Sequence, residues 1–222
     1  MSVNTIDCVN DAASLISDPG MTSVTIDQWK TIFNRSQRKV STLVNMLEAE
    51  ALFDVQAGID RYSYPDDMIQ LVSLRWTNTP DDPNSFIFLR EMMRPEFQAA
   101  TDTRYDTGDP QGYFARKQWF HLYPQPDTTF LGGGLINYIY VPADIADITA
   151  GIAEWPDFWR DDIIDWMQIE GMKRLKQYEE AKDLEQVFMS RLPELKQRAE
   201  DRSADRRPAM RPPRSAGQWN QV

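Results

Sequence analysis

Apolar side chains recur at three- and four-residue spacing near both ends of the chain and alternate at two-residue spacing between them. Ile6, Val9, Ala13 and Ile16 predict a helix over 5–17, which the turn residues Asp18, Pro19 and Gly20 close. A second helix starts at Thr25, with Gln28 three residues on to complete a capping box. Trp29, Phe33, Ser36, Val40, Leu43, Leu47 and Ala51 then mark one face of a single long helix. Its length would be about 25 residues, roughly 37 Å at 1.5 Å per residue.

After Leu52 the period shortens. Phe53, Val55 and Ala57 alternate until Gly58 breaks the run. In YSYPDDMIQLVSLRW a Pro65-Asp-Asp turn precedes an apolar strand from Ile69 to Trp76. TNTPDDPNS is a loop, FIFL a short strand, and REMMRPEFQAAT a turn of helix around Pro95. Strands follow at 113–116, 118–123 and 135–141. Gly132, Gly133 and Gly134 lack the lysine and following helix of a phosphate-binding loop, so they read as a hairpin connection between PQPD and LINYIYV.

The stretch QWFHLYPQPD holds the single histidine, His121. In an extended chain Trp119, His121 and Tyr123 point one way and Phe120 and Leu122 the other. Pro124 and Pro126 withhold backbone donors, so the strand stops there. A histidine base needs a nucleophile or an orienting acid, and no local spacing supplies either. The motif reads as a strand end.

Helical spacing returns after Pro142. Pro156 suits a first helical turn, and Trp155, Trp159, Ile163, Trp166 and Met167 form one stripe. Phe158, Ile169 and Met172 form a second. Two stripes fit either a helix buried on two sides of its own domain or a face packed on a neighbouring subunit, which makes these three residues subunit-interface candidates. Asp161 and Asp165, one turn apart beside Asp162, could clasp a metal, but the wet face of the helix is the simpler reading. A last helix over about 180–200 carries Leu184, Phe188, Leu192 and Leu195, and Pro193 should kink or restart it. Beyond Asp201 the chain is rich in arginine and proline, nearly lacks core residues and should be extended.

Composition narrows the function classes. The chain has 222 residues and a net charge of −10. Residues 201–222 hold five arginines against two aspartates, a surplus of +3, so the first 200 carry −13 (−10 less +3). Such a body repels a phosphate backbone. One cysteine, Cys8, and one histidine exclude an internal disulfide and the usual zinc sites. No cofactor or metal is expected. No apolar run approaches the ~20 residues of a membrane span. The first residues carry acids rather than a basic leader, so no signal peptide is expected.

The order of elements is two helices, short strands, two helices and a loose end. It resembles the head-to-tail adaptors, or connectors, of tailed bacteriophages, the tail tubular protein A type above all. YSYPDDMIQLVSLRW, WFHLYPQPD, INYIYVPADI and AEWPDFWRDDIIDWM carry the resemblance, which spans about residues 25–200. It implies an α+β fold: a helical bundle built from both chain ends (1–51 and 146–201), an inserted β-rich domain (52–145) and an extended C-terminal tail (202–222). It also implies a non-enzymatic ring, commonly of twelve subunits. The ring would sit between the portal and a tail nozzle or other tail component, with DNA passing through only as cargo. The protein would then belong to the virion at the head–tail junction, after assembly in the host cytoplasm.

A role for the tail in portal binding rests on composition instead. Arg206, Arg207, Arg211 and Arg214 offer planar donors to acidic grooves, and Trp219 offers an anchor. Two other classes compete with the adaptor: a metal-dependent hydrolase or nuclease using the Asp161/Asp165 helix, and a monomeric peptide-binding module. The first needs convergent carboxylates and a basic substrate surface; the second needs no oligomer.

Overall fold

The computed structural model describes residues 3–45, 47–82, 84–103, 106–203 and 209–210. The described chain mixes five α-helices with two β-sheets and divides into two compact units. One unit combines the chain up to Leu47 with the chain from Tyr140 through the last helix; the other runs from Glu48 to Ile139 and takes in a short late strand.

The first unit contains α1 (Thr5–Leu15), α2 (Ile26–Val44), α4 (Arg160–Arg174) and α5 (Tyr178–Ser203). Gln28 reaches back to the Thr25 backbone N–H at 3.1 Å, satisfying a donor that the first turn leaves unpaired. The helix is shorter than its apolar period predicts. Asn45 takes the left-handed conformation with φ 54°, its N–H closes on Ser41, and Glu48–Val55 form strand β1 instead of more helix. Leu47 and Ala51 therefore leave the helical stripe.

α4 lies against α1, α2 and α5, which explains its two apolar stripes. Trp155, Trp159, Ile163, Trp166 and Met167 are all buried. Gly171 lets the neighbours approach: a Cβ there would sit 3.0 Å from Trp29 and 3.1 Å from Ile16. Polar straps tie the segment before α4 to the first two helices. Thr5 donates its hydroxyl to the Ile148 carbonyl at 2.6 Å, and Asn34 exchanges two hydrogen bonds with the Ile145 backbone at 2.9 and 3.1 Å. The α5 helix runs through Pro193 without restarting. The proline lacks the N–H that Met189 would accept, but Met189 is 44% exposed, so water can serve that carbonyl.

The second unit stacks two sheets. The larger has the order β4 (Ile87–Phe88), β3 (Met68–Trp76), β8 (Phe130–Tyr140), β1, β9 (Ala209–Met210). The smaller has the order β2 (Arg61–Ser63), β7 (Trp119–Tyr123), β6 (Gly112–Ala115), β5 (Arg90–Glu91), and α3 (Arg94–Thr103) follows β5 in the chain. The sheets meet through aromatics: Phe53 of β1 sits edge-on to Phe120 of β7 with ring centroids 5.4 Å apart, and Tyr62 stacks on Phe120 at 5.6 Å.

β7 and β8 are not a hairpin; they belong to different sheets, and β8 pairs antiparallel with β1 from Glu48↔Ile139 to Val55↔Phe130. The three glycines lie inside β8 rather than in a turn. A side chain at Gly134 would overlap the Phe53 ring, and one at Gly133 would meet Phe130 and the Thr77 carbonyl. At Gly132, φ is 67° and the N–H bonds Asp54 at 2.8 Å, close to the shift in register between Phe53 and Val55. Ala209 and Met210 pair in parallel with Ala49 and Glu50, so the region after Asp201 supplies a short strand. The exposed edge of β1 offers the unpaired backbone groups that make this addition favourable.

Candidate docking surfaces

The single histidine has a partner that sequence spacing hides. β2 pairs antiparallel with β7, matching Arg61 to His121, and this brings Asp60 beside the imidazole. His121 Nδ1 lies 3.1 Å from Asp60 Oδ2, and Phe97 covers the ring at a centroid distance of 5.4 Å. The hydrogen bond from His121 holds the Asp60 carboxyl below the usual carboxylate range, against the opposing effect of its burial. Along β7, Phe120 and Leu122 face the core while Trp119, His121 and Tyr123 are half-buried, as the alternation requires. Cys8 is far from nucleophilic form. It is fully buried in α1, and desolvation pushes its thiol up to about 11.

The aspartates of α4 are engaged with arginines. Arg191 donates to Asp165 at 2.9 Å and to Asp162 at 3.2 Å, and Arg198 donates to Asp162 at 3.3 Å. Asp162 is 2% exposed, so the wet-face reading is wrong for it; Asp161, with its side chain 90% exposed, does sit in solvent. Burial raises the Asp162 carboxyl pKa, and the two guanidinium groups oppose that rise. The pairing clamps α5 onto α4. Among the described residues, no group of three or more carboxylate, imidazole or thiol side chains could hold a metal.

The three residues of the second α4 stripe do not share one environment. Ile169 is 1% exposed and belongs to the core of its own unit, which corrects its place among the interface candidates. Phe158 and Met172 are half-buried, and Phe158 leans on Trp159 at 5.2 Å. The tail candidates Arg206, Arg207, Arg211, Arg214 and Trp219 lie outside the described residues. Exposed apolar side chains that periodicity did not single out stand on the second unit: Val72, Ile87, Phe88, Met93 and Leu131. Ile87 and Phe88 form the outer edge of the larger sheet, where Arg75 lies over the Phe88 ring at 5.2 Å.

The family model described as "SU10 adaptor protein" matches residues 4–213, nearly the whole chain. The chain belongs to the SU10 adaptor protein family. It is a bacteriophage structural protein of the head–tail connector class. The family is one of structural phage adaptors, which interact with portal and tail components, so docking surfaces are the sites to look for. No curated protein matches the chain. Among the described residues, no helix is long and apolar enough to cross a membrane.

Proposed function

We propose that this SU10 adaptor assembles as a ring, of twelve copies in the leading reading, between portal and tail, where it seats the tail and lines a passage for DNA. The match to the adaptor family over residues 4–213 is the observation that carries this reading. The helical unit forms the wall and the β unit faces outward or toward the tail nozzle. The net charge of −10 suits a passage through which DNA slides without adhering, because like charge removes the counterion-release gain that holds proteins on DNA. Phe158 and Met172 remain candidates for contact between copies.

In the same proposal, the arginines at 206, 207, 211 and 214 and Trp219 engage the portal. Guanidinium groups suit acidic grooves, and an indole suits a pocket. Full-length protein and a chain lacking residues 203–222 would be added to portal-bearing capsids that lack the adaptor. Full-length protein should mount and retain the genome, and the truncated chain should fold but fail to mount. A truncated chain that mounts and retains the genome would remove the tail from the account.

A further inference from the structure

We infer that a cationic cleft on the β unit receives an acidic loop from a neighbouring copy of this chain; the inference rests on the ring reading above. Arg94 at the start of α3, Phe114 of β6, the turn residues Arg116, Lys117 and Gln118, and Trp119 of β7 line a cleft of ≈ 540 Å³. A backbone hydrogen bond closes its turn, from the Arg116 N–H to the Trp119 carbonyl at 2.8 Å. Aromatic rings hold cations at its margin, with Arg116 over Phe114 at 5.6 Å and Arg61 over Trp119 at 5.3 Å.

Arg94, Arg116 and Lys117 are exposed, and among the described residues none has a carboxylate within ion-pair distance. In a chain with 34 acids and 24 bases, the cleft gathers three such cations around an aromatic floor. Carboxylates on a compact apolar support would complement both the charge and the floor.

The chain itself presents such a ligand. Pro80, Asp81 and Asp82 stand on the loop between β3 and β4, and both aspartates are exposed without an ion-pair partner among the described residues. Two hydrogen bonds brace the backbone of Asp82. Ser85 donates its hydroxyl to the Asp82 carbonyl at 2.6 Å, and the Asp82 N–H closes on Thr79 at 3.0 Å. Little conformational entropy is then lost on docking. Loop and cleft belong to different sheets of the unit, so their union between copies is head-to-tail, the type of contact that generates rings.

Charge reversal in mixed full-length proteins tests this. One variant carries Arg116→Glu and Lys117→Glu; the other carries Asp81→Lys and Asp82→Lys. Each is checked for a wild-type thermal midpoint and then mounted on portal-bearing capsids, and bound copies are counted. Each alone should bind about tenfold fewer copies than wild type, since like charges then face each other at every contact. An equimolar mixture should restore binding, because the reversed cleft meets the reversed loop. Arg94→Glu replaces the cleft pair if that variant does not fold. Variants that mount like wild type, or a mixture that fails to recover, would overturn the inference. So would normal mounting with altered DNA binding, which would make the cleft a nucleic-acid surface. Failure of the wild type itself to assemble would sink the ring reading, and the inference with it.

Discussion

Trp155 donates its indole N–H to the side-chain oxygen of Gln37 at 3.3 Å, and both residues are buried. Gln37 also donates to the Ala143 carbonyl at 2.9 Å, so one amide on α2 satisfies two groups from the returning chain. Replacing Gln37 with Leu keeps volume but orphans the buried indole N–H, while the exposed Ala143 can turn its carbonyl to water. An unsatisfied buried group costs roughly 1–3 kcal/mol, so Gln37→Leu should lose about 1–3 kcal/mol in urea unfolding. An unchanged midpoint would show that water already serves the indole.

Trp159 is fully buried beneath the Arg198 guanidinium, which lies 5.9 Å from its ring. Trp159→Ala should cost about 3–5 kcal/mol by leaving a cavity that the surrounding helices cannot fill. A wild-type denaturation midpoint would contradict its place in the core.

Gly134 faces the Phe53 ring where β8 crosses β1, and no side chain fits between them. Gly134→Ala should cost about 1–3 kcal/mol through displacement of Phe53 from its contact with Phe120. The unfolding midpoint and the near-ultraviolet circular dichroism of the aromatic cluster report it. Unchanged values for both would mean that the cluster shifts freely.

The turn after α1 should be sensitive to acid. Asp18 accepts backbone N–H bonds from Thr22 and Val24 at 2.9 Å and from Ser23, and its carboxyl is held below the usual range, chiefly by the Val24 donor. A depressed folded pKa gives stability that is present above the unfolded value and lost as pH falls through the folded one. Asp18→Ala should therefore lower the thermal midpoint at pH 7, and the gap to wild type should narrow below about pH 4. A gap independent of pH would mean that the ionised form is not what the turn holds.

His121→Ala should support assembly and infectivity, with a stability cost of about 0.5–1.5 kcal/mol for the lost hydrogen bond. The Asp60 carboxyl should then titrate at higher pH, because its largest lowering influence is gone. Complementation of an adaptor-defective phage checks the first outcome, and an NMR titration checks the second. Loss of infectivity with normal folding and normal particles would reveal a role that the strand reading misses.

Local chemistry was legible in the residues where it is self-contained. Thr25 and Gln28 announce the start of α2 because each satisfies the other, and alternation along WFHLY assigns core and surface without outside help. The end of α2 was not legible. Leu47 and Ala51 fit a helical period, while Leu47, Ala49 and Phe53 equally fit a strand, and the left-handed Asn45 decides between them. Strand partners were hidden for a different reason: β8 joins a strand more than seventy residues earlier, and the close fit of Phe53 over Gly134 exists only once the two are paired. Asp60 beside His121 and Arg198 beside Asp162 are likewise products of pairing and packing across long sequence separations, which no local spacing encodes.

Assembly into a ring at the portal is tested by the mass of the purified full-length protein, alone and mixed with portal. A ring-forming adaptor should give a portal complex that carries a closed set of copies, twelve in the proposed assembly. Whether the free protein is monomeric does not bear on the claim. A mixture in which portal and protein keep their separate masses, or bind as a single copy, would contradict it.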